Sequence, residues 1–248
     1  NCRFSNSLIK SICKKLIKLN PRNPAFRKQR TMLFDNRKEI TLAYRSLLES
    51  RGIAVPKEET FPGKNLFDII GRLKEVYGLQ ESIDELVLER RQKYVTLLDQ
   101  ADPSSVAPGV KEFFCFVEAN RKRLNIRLGY ASSSEKAFVK VILKKIFTAC
   151  HLSQYAQDPD AFFYRNQAGA YACTCWEQGM EKKPSPRVYL DTIKKIGLPA
   201  SQCIAFEDSL SGLQAAQTAG LHVVVVPSSS QIDIFSRKQG DLVFSNPY

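Results

Sequence analysis

No apolar run in this 248-residue chain approaches the roughly 18 to 20 residues that span a bilayer, and no small-residue cleavage site follows a signal-like stretch. A soluble protein is expected. Histidine is scarce, with two in the whole chain, which leaves little scope for hydrolytic triads. There is no Gly-x-x-x-x-Gly-Lys loop and no Gly-x-Ser-x-Gly elbow, so P-loop and serine-hydrolase chemistry are set aside. The seven cysteines are odd in number and follow no secretory signal, so reduced thiols in an intracellular compartment fit better than a disulfide framework. Cys173-Thr-Cys175 is the only close pair. With Cys150 or His151 it would make part of a zinc site, but its spacing fits no usual pattern, and two ordinary thiols are expected.

Acidic residues are missing from one segment. Residues 1–30 hold nine of the 37 basic side chains and none of the 25 acidic ones, so a net charge of +12 shrinks to +3 for the remainder. The charge is therefore not a nucleic-acid signature of the body, and no nucleic-acid partner is expected. Within that segment Leu8, Ile9, Ile12, Leu16 and Leu19 share one helical face, ringed by Lys10, Lys14, Lys15 and Lys18. Two readings stand side by side: an organelle-targeting segment, or a solvated basic extension. The protein is then cytoplasmic or organellar, and the opening Asn1 also fits a fragment of a longer chain.

What is present is a full core's worth of apolar residues, 44% of the chain with 15 Phe. Thr31 to Asp35 reads as a short strand ending in a carboxylate. Helical periodicity then runs from Glu39 to Gln100: Ile40, Ala43, Tyr44, Leu47 and Leu48 before Gly52; Leu66, Ile69, Ile70, Leu73 and Tyr77 before Gly78; and a capping box, Ser82 with Glu85, opening a third helix. A Pro- and Ser-rich linker at 102–109 returns the chain to a helix with Val110, Phe113, Phe114 and Val117. Ile126 to Ala131 reads as a strand, and Ser132-Ser133-Ser134-Glu135 opens the helix of Phe138, Val141, Ile142 and Ile146. Residues 148–182 are the least readable; Phe162-Phe163-Tyr164 and Tyr171-Ala172-Cys173 compete for a central strand. Pro186 suits the first turn of a helix bearing Val188, Tyr189, Ile193 and Ile196. Gln202 to Pro227 is a β-α-β unit whose first strand ends in Glu207 and Asp208. Ligands gather at such strand ends, and paired carboxylates there suggest a divalent cation. Asp241 to Phe244 closes the chain as an edge strand.

Phe206-Glu-Asp-Ser-x-x-Gly-x-x-Ala-Ala-x-x-Ala-Gly220, then a Val run and Pro, resembles the haloacid dehalogenase (HAD) superfamily, nearest its β-phosphoglucomutase-like phosphatases. Lys183-Pro-Ser-Pro and a serine after a strand fall in the family's order. The resemblance covers residues 31–245 and implies an α/β fold: a Rossmann-like parallel sheet core from 31–38 and 105–248, with a small helical cap, 39–104, inserted after the first strand. It implies Asp35 as nucleophile, Lys183 as the neutralising cation, Ser132 and Ser133 as phosphate donors, and Mg²⁺ held by Asp35, Glu207 and Asp208. The implied partner is a small phosphorylated metabolite, a sugar phosphate by preference, handled by a monomer through an aspartyl-phosphate.

The chain departs from the family after Asp35. There the family continues Phe-Asp-x-Asp-Gly-Thr, whereas this chain runs straight into Asn36-Arg37-Lys38-Glu39. About eight residues are missing, some 26 Å of extended chain at roughly 3.3 Å each. With them goes the aspartate that acts as acid and base, since Arg37 occupies its place. Two functions remain in view: a Mg²⁺-dependent phosphatase or phosphomutase, and a degenerate member that binds a phosphorylated ligand or a partner protein without turnover. A gene-model error that removed a short segment would restore the first.

Overall fold

Parallel strands form the α/β part of the protein. In the computed structural model, which describes residues 33–56, 61, 65–102, 105–107, 109–177, 179–225 and 242–243, strand β1 (Tyr130–Glu135) pairs in parallel with β2 (Cys173–Trp176). Strand β3 (Ile204–Glu207) pairs with β4 (His222–Val225), which pairs with β5 (Leu242–Val243), all parallel. The basic segment 1–30, Thr31, Met32, and the Val226–Pro227 and Asp241 ends of the expected strands lie outside the described residues.

The chain divides into two compact units, one comprising Asn1–Asp35 with Val106–Tyr248 and the other Asn36–Ser105. Helix α1 (Arg37–Glu49), α2 (Leu66–Tyr77) and α3 (Ile83–Gln100) make up the second. They form because their apolar residues recur at helical spacing: Tyr44, Leu47, Leu48, Ile70, Leu73, Leu86 and Val87 bury together. Both halves of the Ser82–Glu85 capping box are present at the start of α3. Gly78 ends α2 at φ 63°, a conformation that suits glycine. Helix α1 stops at Ser50, two residues short of Gly52. Arg51 ties the helices by reaching Glu81 at 2.7 Å and Glu89 at 2.6 Å.

In the first unit α4 (Val110–Asn120), α5 (Lys136–Ala149), α6 (Arg187–Ile196) and α7 (Leu210–Thr218) flank the strands. Helix α6 and α7 bury Val188, Leu213, Ala215 and Ala216 against Ala205, Val223 and Val225 of β3 and β4. An aromatic cluster, Phe114, Phe147, Tyr155, Phe162 and Phe163, fills the space beside α5. Among the described residues no helix is long and apolar enough to cross a membrane.

Three expectations are corrected. Leu33 and Phe34 join neither sheet among the described residues: Phe34 forms an isolated antiparallel bridge with Val106, and the Ala107 N–H donates to the Leu33 carbonyl at 2.8 Å. The cause lies in the chain path, because the segment 36–105 leaves and returns at this point and its two ends run in opposite directions. The strand expected at Ile126–Ala131 begins at Tyr130 and runs to Glu135; the Leu128 carbonyl is taken instead by the Tyr164 N–H, at 2.8 Å. The strand within residues 148–182 is Cys173–Trp176, two residues beyond the second candidate's start and in a two-stranded sheet among the described residues, while Pro159–Phe162 turns as a 3-10 helix that sends Phe162 and Phe163 into the aromatic cluster.

Replacing Ser82 by Ala should remove the side-chain acceptor for the Glu85 N–H and destabilise the 36–105 unit by about 1 kcal/mol. Urea unfolding of the variant beside Ser82→Asn, which keeps a capping oxygen, measures it; equal midpoints for the Ala variant and the parent protein would show that the box contributes nothing.

Candidate active site

Lys183 links the two sheets. Its ammonium donates to the Ala131 carbonyl of β1 at 3.0 Å and to Glu207 Oε1, the last residue of β3, at 2.5 Å. The turn before α6 sends it there: Ser185 N–H donates to the Lys182 carbonyl at 3.0 Å, Lys183-Pro184 is cis, and Pro186 N-caps the helix. Its neighbour Lys182 points elsewhere, lying 4.3 Å over the Trp176 ring. The two partners of the ion pair are nearly dry, at 11% and 6% exposure for the Lys183 and Glu207 side chains. Unpaired, either charge would be costly to bury, so the pair holds only because it is hydrogen-bonded on both sides.

Glu207 is held from three directions. Besides Lys183, the Tyr189 hydroxyl donates a short hydrogen bond to Oε1, and the Ser209 hydroxyl reaches Oε2 at 3.4 Å. Its carboxylate lies under the first turn of α7, where Gly212 leaves room: a Cβ there would overlap both carboxylate oxygens. Burial first, and then the charge of Glu207, pushes the Tyr189 hydroxyl pKa well above its ordinary value, and the charge of Asp208 adds to the same effect. Tyr189 therefore stays protonated and donates.

Ser132 follows Ala131 directly, and its hydroxyl accepts from the Ser134 N–H at 3.0 Å; the N-cap of α5 is Glu135, so Ser132 does not cap that helix. The Ser133 hydroxyl is buried without a hydrogen-bond partner. At the start of α7 the cap is Ser209, whose oxygen accepts from the Gly212 N–H at 3.1 Å, so neither Glu207 nor Asp208 serves as a cap. Asp208 is half-buried just beyond β3, and Asp35 half-buried just beyond the Phe34–Val106 bridge. Helix α1 begins at Arg37, two residues after Asp35.

The three carboxylates named for Mg²⁺ are not gathered as a ligand set. Among the described residues no three Asp, Glu, His or Cys side chains are placed to hold a metal ion. Glu207 is the reason, since its oxygens are committed to Lys183, Tyr189 and Ser209.

Tyr189 was not legible as a site residue, and Gly212, although part of the quoted motif, was not legible as the residue that makes room for Glu207. Tyr189 falls on the apolar face of α6, and the available signal was that a buried tyrosine hydroxyl needs a partner. Gly212 stands inside a helix, where a glycine costs up to about 1 kcal/mol relative to alanine and so marks a close approach.

Gly212→Ala should displace Glu207 from beneath α7 and lower the thermal midpoint, with the loss of a buried charge pair's geometry costing about 3 kcal/mol or more. Calorimetric unfolding tests this directly; an unchanged midpoint would mean that Glu207 is not held against that glycine.

Comparison with known proteins agrees with this architecture. A family model described as haloacid dehalogenase-like hydrolase matches residues 15–220. Protein CbbY of Rhodobacter capsulatus is 33% identical over 146 residues, 59% of this chain and 56% of that protein. Hexitol phosphatase B of Escherichia coli is 28% identical over 149 residues, 60% of this chain and 55% of that protein. The chain thus matches less than two thirds of the length of these curated relatives. Among solved structures, β-phosphoglucomutase from Clostridium difficile superposes with a TM-score of 0.57 at 20% identity, covering 87% of this chain and 86% of that one. CbbY from Rhodobacter sphaeroides in complex with phosphate gives 0.54 at 21% identity, covering 81% and 83%. With the family model spanning most of the chain and the same fold in these structures, the protein belongs to the haloacid dehalogenase-like hydrolases.

Proposed function

We propose that this chain is a Mg²⁺-dependent phosphohydrolase, phosphatase or phosphomutase in type, for a small phosphorylated metabolite of the sugar-phosphate class, working through Asp35. The observation that carries the reading is the Lys183 ammonium fixed between β1 and the carboxyl end of β3 by Ala131 and Glu207, the residues that precede Ser132 and Asp208. Phosphoryl transfer asks for positive donors around the equatorial oxygens and an oxygen nucleophile in line with the departing one. The curated relative named hexitol phosphatase supports the same substrate class. In this reading residues 39–104 are a helical cap, and 31–38 with 105–248 the catalytic core.

The roles follow from the groups. Asp35 attacks phosphorus through a carboxylate oxygen, and the bond to the departing oxygen breaks with its electrons leaving on that oxygen. Lys183 neutralises the transferring group, while the Ser132 hydroxyl and the partnerless Ser133 hydroxyl donate to phosphate oxygens. Bound Mg²⁺ would offset charge shared by the nucleophile and the phosphate, with Asp35 and Asp208 holding it.

The step with no resident group is proton transfer to the leaving oxygen and from the attacking water. Arg37 stands where the family has its second aspartate, and a guanidinium does not give up its proton. General acid and base catalysis is worth roughly 10² to 10⁴ in rate, and turnover is slowed by that order. The same observation favours the second reading, binding of a phosphorylated ligand without turnover.

Assays with p-nitrophenyl phosphate and a panel of sugar phosphates decide between them. Slow hydrolysis that is lost in Asp35→Asn, and that rises about 10²-fold or more when an Asp-Gly-Thr-containing segment is restored after Asp35, is expected. Fast turnover by the unmodified chain would show that another group has taken over as acid and base. For the metal, calorimetric titration with Mg²⁺ should lose most of its binding in Asp208→Ala; equal affinity in both proteins would remove Asp208 from the site.

A further inference from the structure

The hydrogen bonds around Lys183 include one to a residue outside the family motifs, Tyr189. A lysine ammonium has three N–H groups. Here they meet Glu207 Oε1 at 2.5 Å, the Ala131 carbonyl at 3.0 Å and the Tyr189 hydroxyl oxygen at 3.3 Å. The tyrosine hydroxyl has a single hydrogen, which it gives to the same Glu207 oxygen. Lys183 and Tyr189 thus grip one carboxylate oxygen from two sides, with the ammonium 4.7 Å from the centre of the tyrosine ring. Tyr189 itself is fixed by burial among Val188, Ala205 and Leu213.

We propose that Tyr189 is a positioning residue: its hydroxyl clamps Glu207, so that the carboxylate keeps the Lys183 ammonium between β1 and the end of β3, and its oxygen holds the third lysine N–H until a phosphate oxygen replaces it. The longest of the three lysine hydrogen bonds is the one to Tyr189, so it is the one exchanged at least cost when an anion arrives. Without the hydroxyl, Glu207 keeps a single strong partner on Oε1 and turns about its side-chain bonds, taking the ammonium with it. The phosphate part of this inference rests on the function proposed above; the clamp does not.

Two measurements on Tyr189→Phe, which keeps the ring and its packing, separate a clamp from a mere core residue. The first is the rate of Lys183 acetylation by acetic anhydride, read by mass spectrometry against the exposed Lys182 in the same peptide. It should rise about threefold or more, the lower end of what one hydrogen bond contributes. The second is calorimetric affinity for inorganic phosphate, which should fall by a similar factor. A drop in thermal midpoint with both quantities unchanged would overturn the proposal. In a Glu207→Gln background, Tyr189→Phe should change the labelling ratio no further, because the tyrosine acts through Glu207; additive effects would overturn it equally. Failure of the unmodified protein to bind phosphate would sink the functional reading, while the labelling ratio would still decide the clamp.

Discussion

The first unit is organised by a buried ion pair that spans two sheets. Strands β1 and β3 are not hydrogen-bonded to each other among the described residues, and Lys183 reaches from one to the other through Ala131 and Glu207. A charge pair this dry is weak evidence for net stability, because desolvating both ions offsets most of their attraction. Breaking it by removing one partner leaves an uncompensated buried charge, which is costly. Tyr189 and Ser209 complete the hydrogen bonding of the carboxylate, and Gly212 supplies the space.

Packing on either side makes the pair possible. Small residues of α7, Ala215 and Ala216, let the helix lie close against β3 and β4, which brings the Ser209 end of the helix over Glu207. On the β1 side, Tyr130 packs edge-on against Phe163 with ring centres 4.8 Å apart and donates to the buried Asp160 at 2.9 Å. Arg127 ties the approach to β1 to the end of α6 through the Ile196 carbonyl at 2.8 Å. The thiols of Cys173 and Cys175 sit against Tyr130, and burial pushes the Cys175 thiol up to about 11, so these cysteines stay protonated near neutrality.

The 36–105 unit has its own logic. Arg90 is buried between the rings of Tyr44 and Tyr94, 4.3 Å and 4.6 Å from their centres, and a cation over aromatic faces is well suited to such a dry place. The early start of α1 at Arg37 follows directly from the sequence, where Asn36 is the only residue between Asp35 and the helix. The single residue between Asp35 and the helix is a property of the covalent chain rather than of its conformation.

Motif order and periodicity were legible in the sequence alone. The capping box at Ser82, the Gly78 stop, the β-α-β unit around Glu207 and the family membership rest on local spacing, which tertiary context did not override. Segments whose partners lie far along the chain were not legible: Phe34 pairs with Val106, and β2 could be placed only by its register with β1. Glu207 shows the limit most clearly. By sequence it is the first of two adjacent carboxylates at a strand end, alike in charge and chemistry. Only the fold decides that it turns inward to Lys183 and Tyr189, 24 and 18 residues away, while Asp208 remains half-buried beside it. Spacing along a chain fixes which residues share a face, but burial and the matching of donors to acceptors depend on neighbours that meet only when the strands and helices have packed.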